Sequence, residues 1–377
     1  MVTYPSDWKT NKIIEVADIF DNLRIPVTKN QRKPGNTPYY GANGIQDYVS
    51  GYTHDGEFVL IAEDGANDLQ NYPVTYASGK IWVNNHAHVL AGVNSKADTR
   101  FLAYLLKKVD FAAVLVGGTR AKLNGKTLKN IEVTLPERLK EQQAIASALS
   151  DFDEHIDNLT ELIEKKKAIR DGALEDLVSG RTRLDGFNGE WISVKLSDFA
   201  QINPSSALPE VFKYVDLESV KGITLMGWRV ERKETAPSRA KRLAQFGDIF
   251  FQTVRPYQRN NYLFELSDED VVFSTGYAQL RTKNDARFLF LLLRQDDFVN
   301  EVLDNCTGTS YPAINPSKLS DIKIYVPIDK NEQQAIAEVL TAMDEEIESL
   351  KIEKEKMIQI KEGAMDDLLT GRVRLKV

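Results

Sequence analysis

A single cysteine, Cys306, stands in 377 residues, so no disulfide can form within the chain, and the sequence suits a reducing compartment. Long hydrophobic runs are missing as well: none approaches the ~18 residues that a membrane span needs. The polar start MVTYPSDWKTNK has no apolar segment of the kind a signal peptide carries. A cytoplasmic protein with no membrane association is expected. An excess of positive charge is also lacking, since the formal net charge is −7, which at first sight argues against nucleic acid as a partner.

Catalytic signatures are equally scarce. An amino-methylating enzyme would carry an Asn-Pro-Pro-aromatic string, and the nearest strings, Asn203-Pro204-Ser205 and Asn315-Pro316-Ser317, lack the second proline and the aromatic residue. Gly125-Lys126-Thr127 looks like part of a phosphate loop, but the glycine required five residues earlier is Arg120. His86 and His88, with His54, lie in strand-like alternation without a distant histidine pair, so no metal site is expected. Glu63-Asp64 beside Gly65 reads as an acidic turn rather than a nuclease carboxylate pair. The chain is expected to do no chemistry alone.

What is present is a repeat. Glu141–Leu184 returns at Glu332–Leu375 without a gap, 191 residues on, with 22 of 44 positions identical. Both copies open on EQQAIA and close on GR-x-RL. Upstream at the same offset, Ile131, Pro136, Leu128, Asn124 and Gly117 match Ile322, Pro327, Leu319, Asn315 and Gly308. At the other edge, Asp7-Trp8 with Lys12 matches Glu190-Trp191 with Lys195. Between these edges, roughly 25–116 and 204–307, no similarity is evident. The organisation is a variable domain over 1–136, a shared helical segment over 137–184, a second variable domain over 185–327 and a second shared segment over 328–377.

The shared segments carry heptad seams. Ile145, Leu149, Phe152, Ile156, Leu159 and Ile163 form the first, which then shifts register toward Ile169, Ala173 and Leu177. Ile336, Leu340, Met343, Ile347 and Leu350, then Met357, Ala364 and Leu368, form the second, interrupted by Lys354 and Lys361. Neither holds a proline, Pro136 and Pro327 precede them, and Gly180 and Gly371 are placed to stop them. Helices of this kind, at some 35–38 residues, would be about 55 Å long. The two seams most simply pack on each other, antiparallel, as a pseudo-two-fold spacer; a dimerisation coiled coil between chains is the lesser alternative. Gly172 and Gly363 would permit a close approach or a kink.

The variable domains read as mixed and β-rich, which makes the fold α+β. Residues 39–67 and 80–93 are strand-like, and Thr99–Phe111 and Ala286–Val302 are helical by period. All of the net charge of −7 lies on the shared segments, 137–184 and 328–377; the variable domains together are neutral. Within the second domain, Arg229–Arg259 carries 8 basic and 3 acidic groups. Arg239, Lys241, Arg242, Arg255, Tyr257, Gln258, Arg259 and Asn260 there are candidates for DNA contact, because clustered Lys and Arg neutralise phosphates while Arg, Asn and Gln read base edges. In the first domain the candidates are Lys29, Arg32, Lys33, Arg120 and Lys122. A solvated basic surface is the structural alternative.

Two divergent domains, each followed by a near-identical helix opening on EQQAIA after a strand ending in proline, resemble the specificity subunits of type I restriction–modification enzymes. The endings DGALEDLVSGRTRL and EGAMDDLLTGRVRL, the phrases NGIQDY and GEFVLIAEDG, and the Gly-Thr loop with its asparagine before the closing strand are typical of that family. The resemblance covers essentially the whole chain, and the repeat ends almost at Val377, so no further segment is expected beyond it. It implies that each variable domain is a target-recognition domain for one half of a bipartite, asymmetric site in double-stranded DNA. It further implies that the helices space the halves and dock two methyltransferase subunits, with endonuclease/translocase subunits joining outside. Cofactors would sit on the partners, S-adenosylmethionine on the methyltransferase and ATP with Mg on the endonuclease, and none on this chain. Rival readings are a coiled-coil adaptor with two protein-binding domains and a stand-alone DNA-modifying enzyme.

Overall fold

A computed structural model describes residues 3–115 and 122–376. The chain forms two compact units, one from residues 1–160 and 352–377, the other from 161–351. Both cuts fall inside long helices, and they are again 191 residues apart.

In the first unit, β1 (Trp8–Lys12), α1 (Ile13–Val16) and β2 (Ala17–Ile19) lead into β3 (Pro34–Gly41), β4 (Gly44–Val49), β5 (His54–Ala62), β6 (Val74–Val83) and β7 (Ala87–Gly92). The sheet order is β2-β7-β5-β6-β3-β4, antiparallel except for β3 beside β6. α2 (Thr99–Leu106) covers its apolar face, capped by Asp98, whose carboxylate accepts from the Phe101 amide at 2.8 Å. α3 (Gly125–Asn130), β8 (Glu132–Pro136) and the long α4 (Leu139–Val178) follow, and β8 pairs with β1 so that Pro136 faces Trp8.

The second unit repeats this frame and changes its filling. β9 (Trp191–Lys195), α5 (Leu196–Phe199) and β10 (Ala200–Ile202) match the opening of the first. Then come β11 (Val211–Val215), β12 (Val220–Lys221), β13 (Thr224–Leu225), β14 (Arg229–Arg232), β15 (Ala240–Leu243), β16 (Ile249–Gln252), β17 (Tyr262–Leu263), β18 (Val271–Ser274) and β19 (Tyr277–Thr282). With β10 they make two four-stranded sheets, β10-β19-β16-β17 and β14-β11-β18-β15, and β12 pairs with β13 in a small two-stranded one. α6 (Ala286–Leu292), α7 (Asp296–Asp304), α8 (Pro316–Asp321), β20 (Lys323–Pro327) and α9 (Lys330–Leu368) complete it, with Pro327 opposite Trp191. The helical run expected over Ala286–Val302 is two helices. Gln295 takes an extended ψ of 146° as the N-cap of α7, and Asp296 and Asp297 place negative charge at the new N-terminus.

Each unit contains parts of both long helices, running antiparallel. In the first unit Asp153 of α4 meets Lys361 of α9, and His155 lies 3.8 Å from Glu353. In the second, Arg170 binds Asp344 at 2.8–2.9 Å and Lys166 binds Glu346 at 2.7 Å. Arg170 and Lys361 are repeat equivalents, as are Asp153 and Asp344, so one ion pair is made twice. Ile145, Leu149, Leu159, Ile336, Leu340 and Ile347 are buried, while Phe152, Ile156, Met343 and Leu350 are half-buried. The expected turn of the first seam onto Ile169 is not what the structure has. Ile169 is 60% exposed, and buried Arg170 takes the inward place with its carboxylate partner. At Gly172 and Gly363 an added Cβ would meet nothing within 4 Å, so neither glycine marks a close approach. Gly180 and Gly371 do end the helices, with φ of 73° and 70°. A Cβ there would press on Trp191 at 3.0 Å or on Pro5 at 2.5 Å, so room as well as φ requires glycine.

The identical EQQ and GR-x-RL motifs are complementary halves of one joint. Arg183 of the first copy binds Glu332 of the second through Nε at 2.5 Å and Nη2 at 2.8 Å. Arg374 of the second binds Glu141 of the first at 2.7 Å and Asp7 at 3.0 Å. Both glutamates are buried. The following glutamine works backwards in each copy. Gln142 Nε2 donates to the Pro136 carbonyl and its Oε1 accepts from the Asp98 amide; Gln333 does the same with Pro327 and Asp285. One motif therefore ties the closing strand, the cap of the sheet-covering helix and the end of the other long helix.

Arg183→Ala should strand the Glu332 carboxylate with only the Trp191 indole N–H, 3.2 Å away, as donor. The expected loss is about 2–4 kcal/mol, below the range for fully buried pairs because Arg183 is itself partly exposed. Denaturant unfolding followed by tryptophan fluorescence checks it, and Glu332→Gln in that background should recover part of the loss. An unchanged midpoint contradicts the joint.

Candidate nucleic-acid interface

β16 is buried throughout, and the chain leaves it through a turn that the second unit constrains heavily. Arg255 and Arg259 both adopt left-handed backbone, φ 54° and 55°, on either side of a short 3-10 turn, Pro256–Gln258. Non-glycine residues in that region cost about 1–3 kcal/mol each and persist where the surroundings over-determine them. Here they do. The Arg255 amide donates to the Pro312 carbonyl at 2.7 Å, and Val254 bridges to Ala313. Buried Gln252 receives the Asn260 amide on Oε1 at 3.2 Å and donates from Nε2 to Gln258 Oε1 at 2.9 Å. The Gln252 amide donates to Asn261 Oδ1 at 2.8 Å, and Asn260 Oδ1 accepts from the Gly222 amide at 2.9 Å.

What this turn shows to solvent is polar and aromatic. Tyr257 and Tyr311 are 51% and 65% exposed, and the Arg255 guanidinium lies 4.3 Å over the Tyr311 ring. Arg259 is engaged by Asp296 at 2.5 Å. Arg239 and Lys241 are brought to the same end of the sheets. The Thr275 amide donates to the Arg239 carbonyl at 2.8 Å, and the Thr253 amide donates to the neighbouring Gly276 carbonyl at 2.9 Å. Both side chains are exposed and make no ion pair among the described residues. Arg242 is different: half-buried on β15, it has an Nε without a partner, and burial pushes its guanidinium pKa down. The rest of the basic stretch is partly neutralised, Arg229 by Asp216 at 3.3 Å and Lys233 by Glu210 at 3.2 Å.

The first unit divides its candidates in the same way. Lys29 and Lys33 are exposed, whereas Arg32 stacks 4.1 Å over Tyr39, binds Asp47 at 3.2 Å and donates to the Val27 carbonyl. Lys122 is held by Glu63 at 2.8 Å. Arg120 lies outside the described residues.

Sequence reasoning missed the ion cluster that Lys122 joins. Buried His88 approaches Asp21 through Nδ1 at 2.5 Å and the Leu123 carbonyl through Nε2 at 2.7 Å; Arg24 binds Glu63 at 2.7 Å. Asp21, Glu63 and His88 are close enough to hold a metal ion. The chemistry of His88 speaks for a different role: both ring nitrogens face acceptors, so the imidazolium donates twice and has no lone pair to offer. Glu63 and Asp64 are not a free carboxylate pair either, since Asp64 binds His86 at 2.5 Å. Alternation along β7 concealed this, because the partners of His88 come from 21, 63 and 123.

Burial works against the charged form of His88. The hydrogen bonds to Asp21 and Leu123 and the Asp21 and Glu63 charges outweigh it, and the pKa is raised above 6.5. A raised folded pKa contributes stability that is fully present below 6.5 and lost as pH rises through the folded value. An NMR titration should therefore find one imidazole ionising above the ordinary histidine range, with stability declining across that window. His88→Gln should remove both. All four imidazoles titrating at or below 6.5 would contradict the cluster.

The family described as the type I restriction modification DNA specificity domain matches residues 5–168 and again 188–361. A putative type I restriction enzyme specificity subunit of Haemophilus influenzae is 51% identical over 130 residues, 34% of this chain and 33% of that protein. The type I restriction enzyme MjaVIII specificity subunit of Methanocaldococcus jannaschii is 26% identical over 99% of this chain and 94% of its own. Among solved structures, the type I restriction–modification S subunit from M. genitalium shares the fold with a TM-score of 0.65 at 18% identity, over 96% of either chain. The specificity subunit from Thermoanaerobacter tengcongensis does so at 0.52 and 16%, over 98% of either chain. Twice-matched domains, a twice-made joint and a shared fold place this chain in the family of type I restriction–modification specificity subunits.

Proposed function

We propose that this protein is the DNA-reading component of a type I restriction–modification complex and is itself non-catalytic. Each variable domain reads one half of a bipartite, asymmetric site in double-stranded DNA. The long helices set the gap between the halves and dock two methyltransferase subunits, and endonuclease/translocase subunits join the assembly. S-adenosylmethionine belongs to the methyltransferase partner, and ATP with Mg to the endonuclease partner.

The observation that carries this reading is the contrast between frame and filling. The joint of Glu, Gln and Arg is made twice with the same partners, while the sheets between differ in strand number and pairing. Two equivalent frames suit two copies of one partner, and two different fillings suit two different short sequences. A reader on each end of a helical spacer recognises half-sites at a distance set by that spacer. The charge division agrees, because acidic helices suit protein docking and repel phosphate, leaving the exposed Arg239 and Lys241 and the half-buried Arg255 of the second variable domain for DNA.

Co-expression with a type I methyltransferase subunit, followed by methylome sequencing, should show N6-methyladenine at one bipartite motif with two unlike halves. Methylation without a bipartite motif, or none above the methyltransferase alone, would sink the recognition role.

A further inference from the structure

The Gln252–Gln258 pair fixes which way an exposed amide points. A backbone N–H can only donate, so the Gln252 atom facing the Asn260 amide is its oxygen. Its nitrogen then faces Gln258 and must meet an acceptor, which makes the nearer Gln258 atom Oε1. The Gln258 Nε2 is consequently turned away from Gln252, on an exposed side chain at the tip of the strained turn. Arg255, stacked on Tyr311, and Arg259 flank it and carry donors only. The carboxylate that touches the turn, Asp296, is taken by Arg259. Apart from the Tyr257 and Tyr311 hydroxyls, which can also accept, the tip thus presents donors.

Base edges in the major groove differ in what they answer. Guanine presents two acceptors, N7 and O6; adenine presents one acceptor beside a donor; thymine presents one acceptor beside its methyl group; cytosine presents a donor. A free glutamine pairs with adenine by using both amide atoms, and Gln258 has its oxygen engaged. We infer that Gln258 is a specificity-determining residue of the second unit, donating its Nε2 hydrogens to a guanine in that unit's half-site. Gln252 is the positioning residue behind it. The inference rests on the DNA-reading role proposed above and adds a residue and a base to it. The backbone strain at Arg255 and Arg259 fits such a task, since a tip held by Gln252, Pro312 and Gly222 presents its amide without further ordering.

The test is the motif methylated by the assembled complex with its methyltransferase subunits, for the unaltered chain and two variants. Gln258→Ala, at an exposed position, should lose discrimination at one base pair by roughly 10- to 100-fold, at a position that is guanine in the unaltered motif, with the other half unchanged. Gln258→Glu keeps an acceptor for Gln252 and turns a carboxylate oxygen outward, so the same position should shift toward cytosine. An unaltered bipartite motif in both variants overturns the assignment and leaves the DNA-reading role standing. So does loss of all methylation by the alanine variant, which would mark a structural residue. Absence of any bipartite motif with the unaltered chain overturns the DNA-reading role itself, and this assignment with it.

Discussion

Two buried carboxylates, Glu141 and Glu332, are each neutralised by an arginine from the other copy of the repeat, and the division of the chain into units depends on that exchange. A buried carboxylate without its cation is strongly destabilising, so neither unit is complete with one copy of the shared segment. The first needs residues 352–377 and the second needs the end of α4. The apolar contribution has the same reciprocal form, with Met365, Leu368 and Leu369 in the core of the first unit and Leu177 and Val178 in that of the second. Glycine and tryptophan complete the joint, because the left-handed Gly180 and Gly371 let the helix end close on Trp191 and Trp8. Glu141, Gln142, Leu177, Gly180 and Arg183 are among the 22 identities of the repeat.

Much of the frame was legible for that reason. A joint made twice leaves its residues twice in the sequence, and Trp8, Pro136, Gln142 and Gly180 could be matched to their equivalents before any contact was known. Heptad spacing located most of the buried seam, but it counts apolar residues only, so it chose Ile169 where the structure buries Arg170. Repeat equivalence, which aligns Arg170 with Lys361 and Asp153 with Asp344, held the better signal. Ion pairs across two helices are invisible to a period computed along one.

The variable domains were legible as β-rich and no further. Their sheets are built from strands far apart in the chain, with parallel neighbours β3 and β6 in one and β11 and β18 in the other. The candidate site suffers most from this. A count of basic residues over Arg229–Arg259 cannot tell Arg239, exposed at the sheet end, from Arg229, already held by Asp216. Nor can it show that the fixed direction of the Gln258 amide depends on a buried glutamine and a backbone N–H. The hydrogen-bond frame around the turn, set by residues as distant as Gly222 and Pro312, converts a basic stretch into a surface with direction.

Division of labour between frame and filling is the central claim, and helix length tests it most directly. One heptad inserted between Thr160 and Glu161, and another at the equivalent point between Lys351 and Ile352, would lengthen the antiparallel pair by about 10 Å, the rise of about three base pairs. Methylome sequencing of the complex carrying that chain should return both half-sites unaltered, with the gap between them enlarged by about three base pairs. Altered half-sites across an unchanged gap would contradict the account.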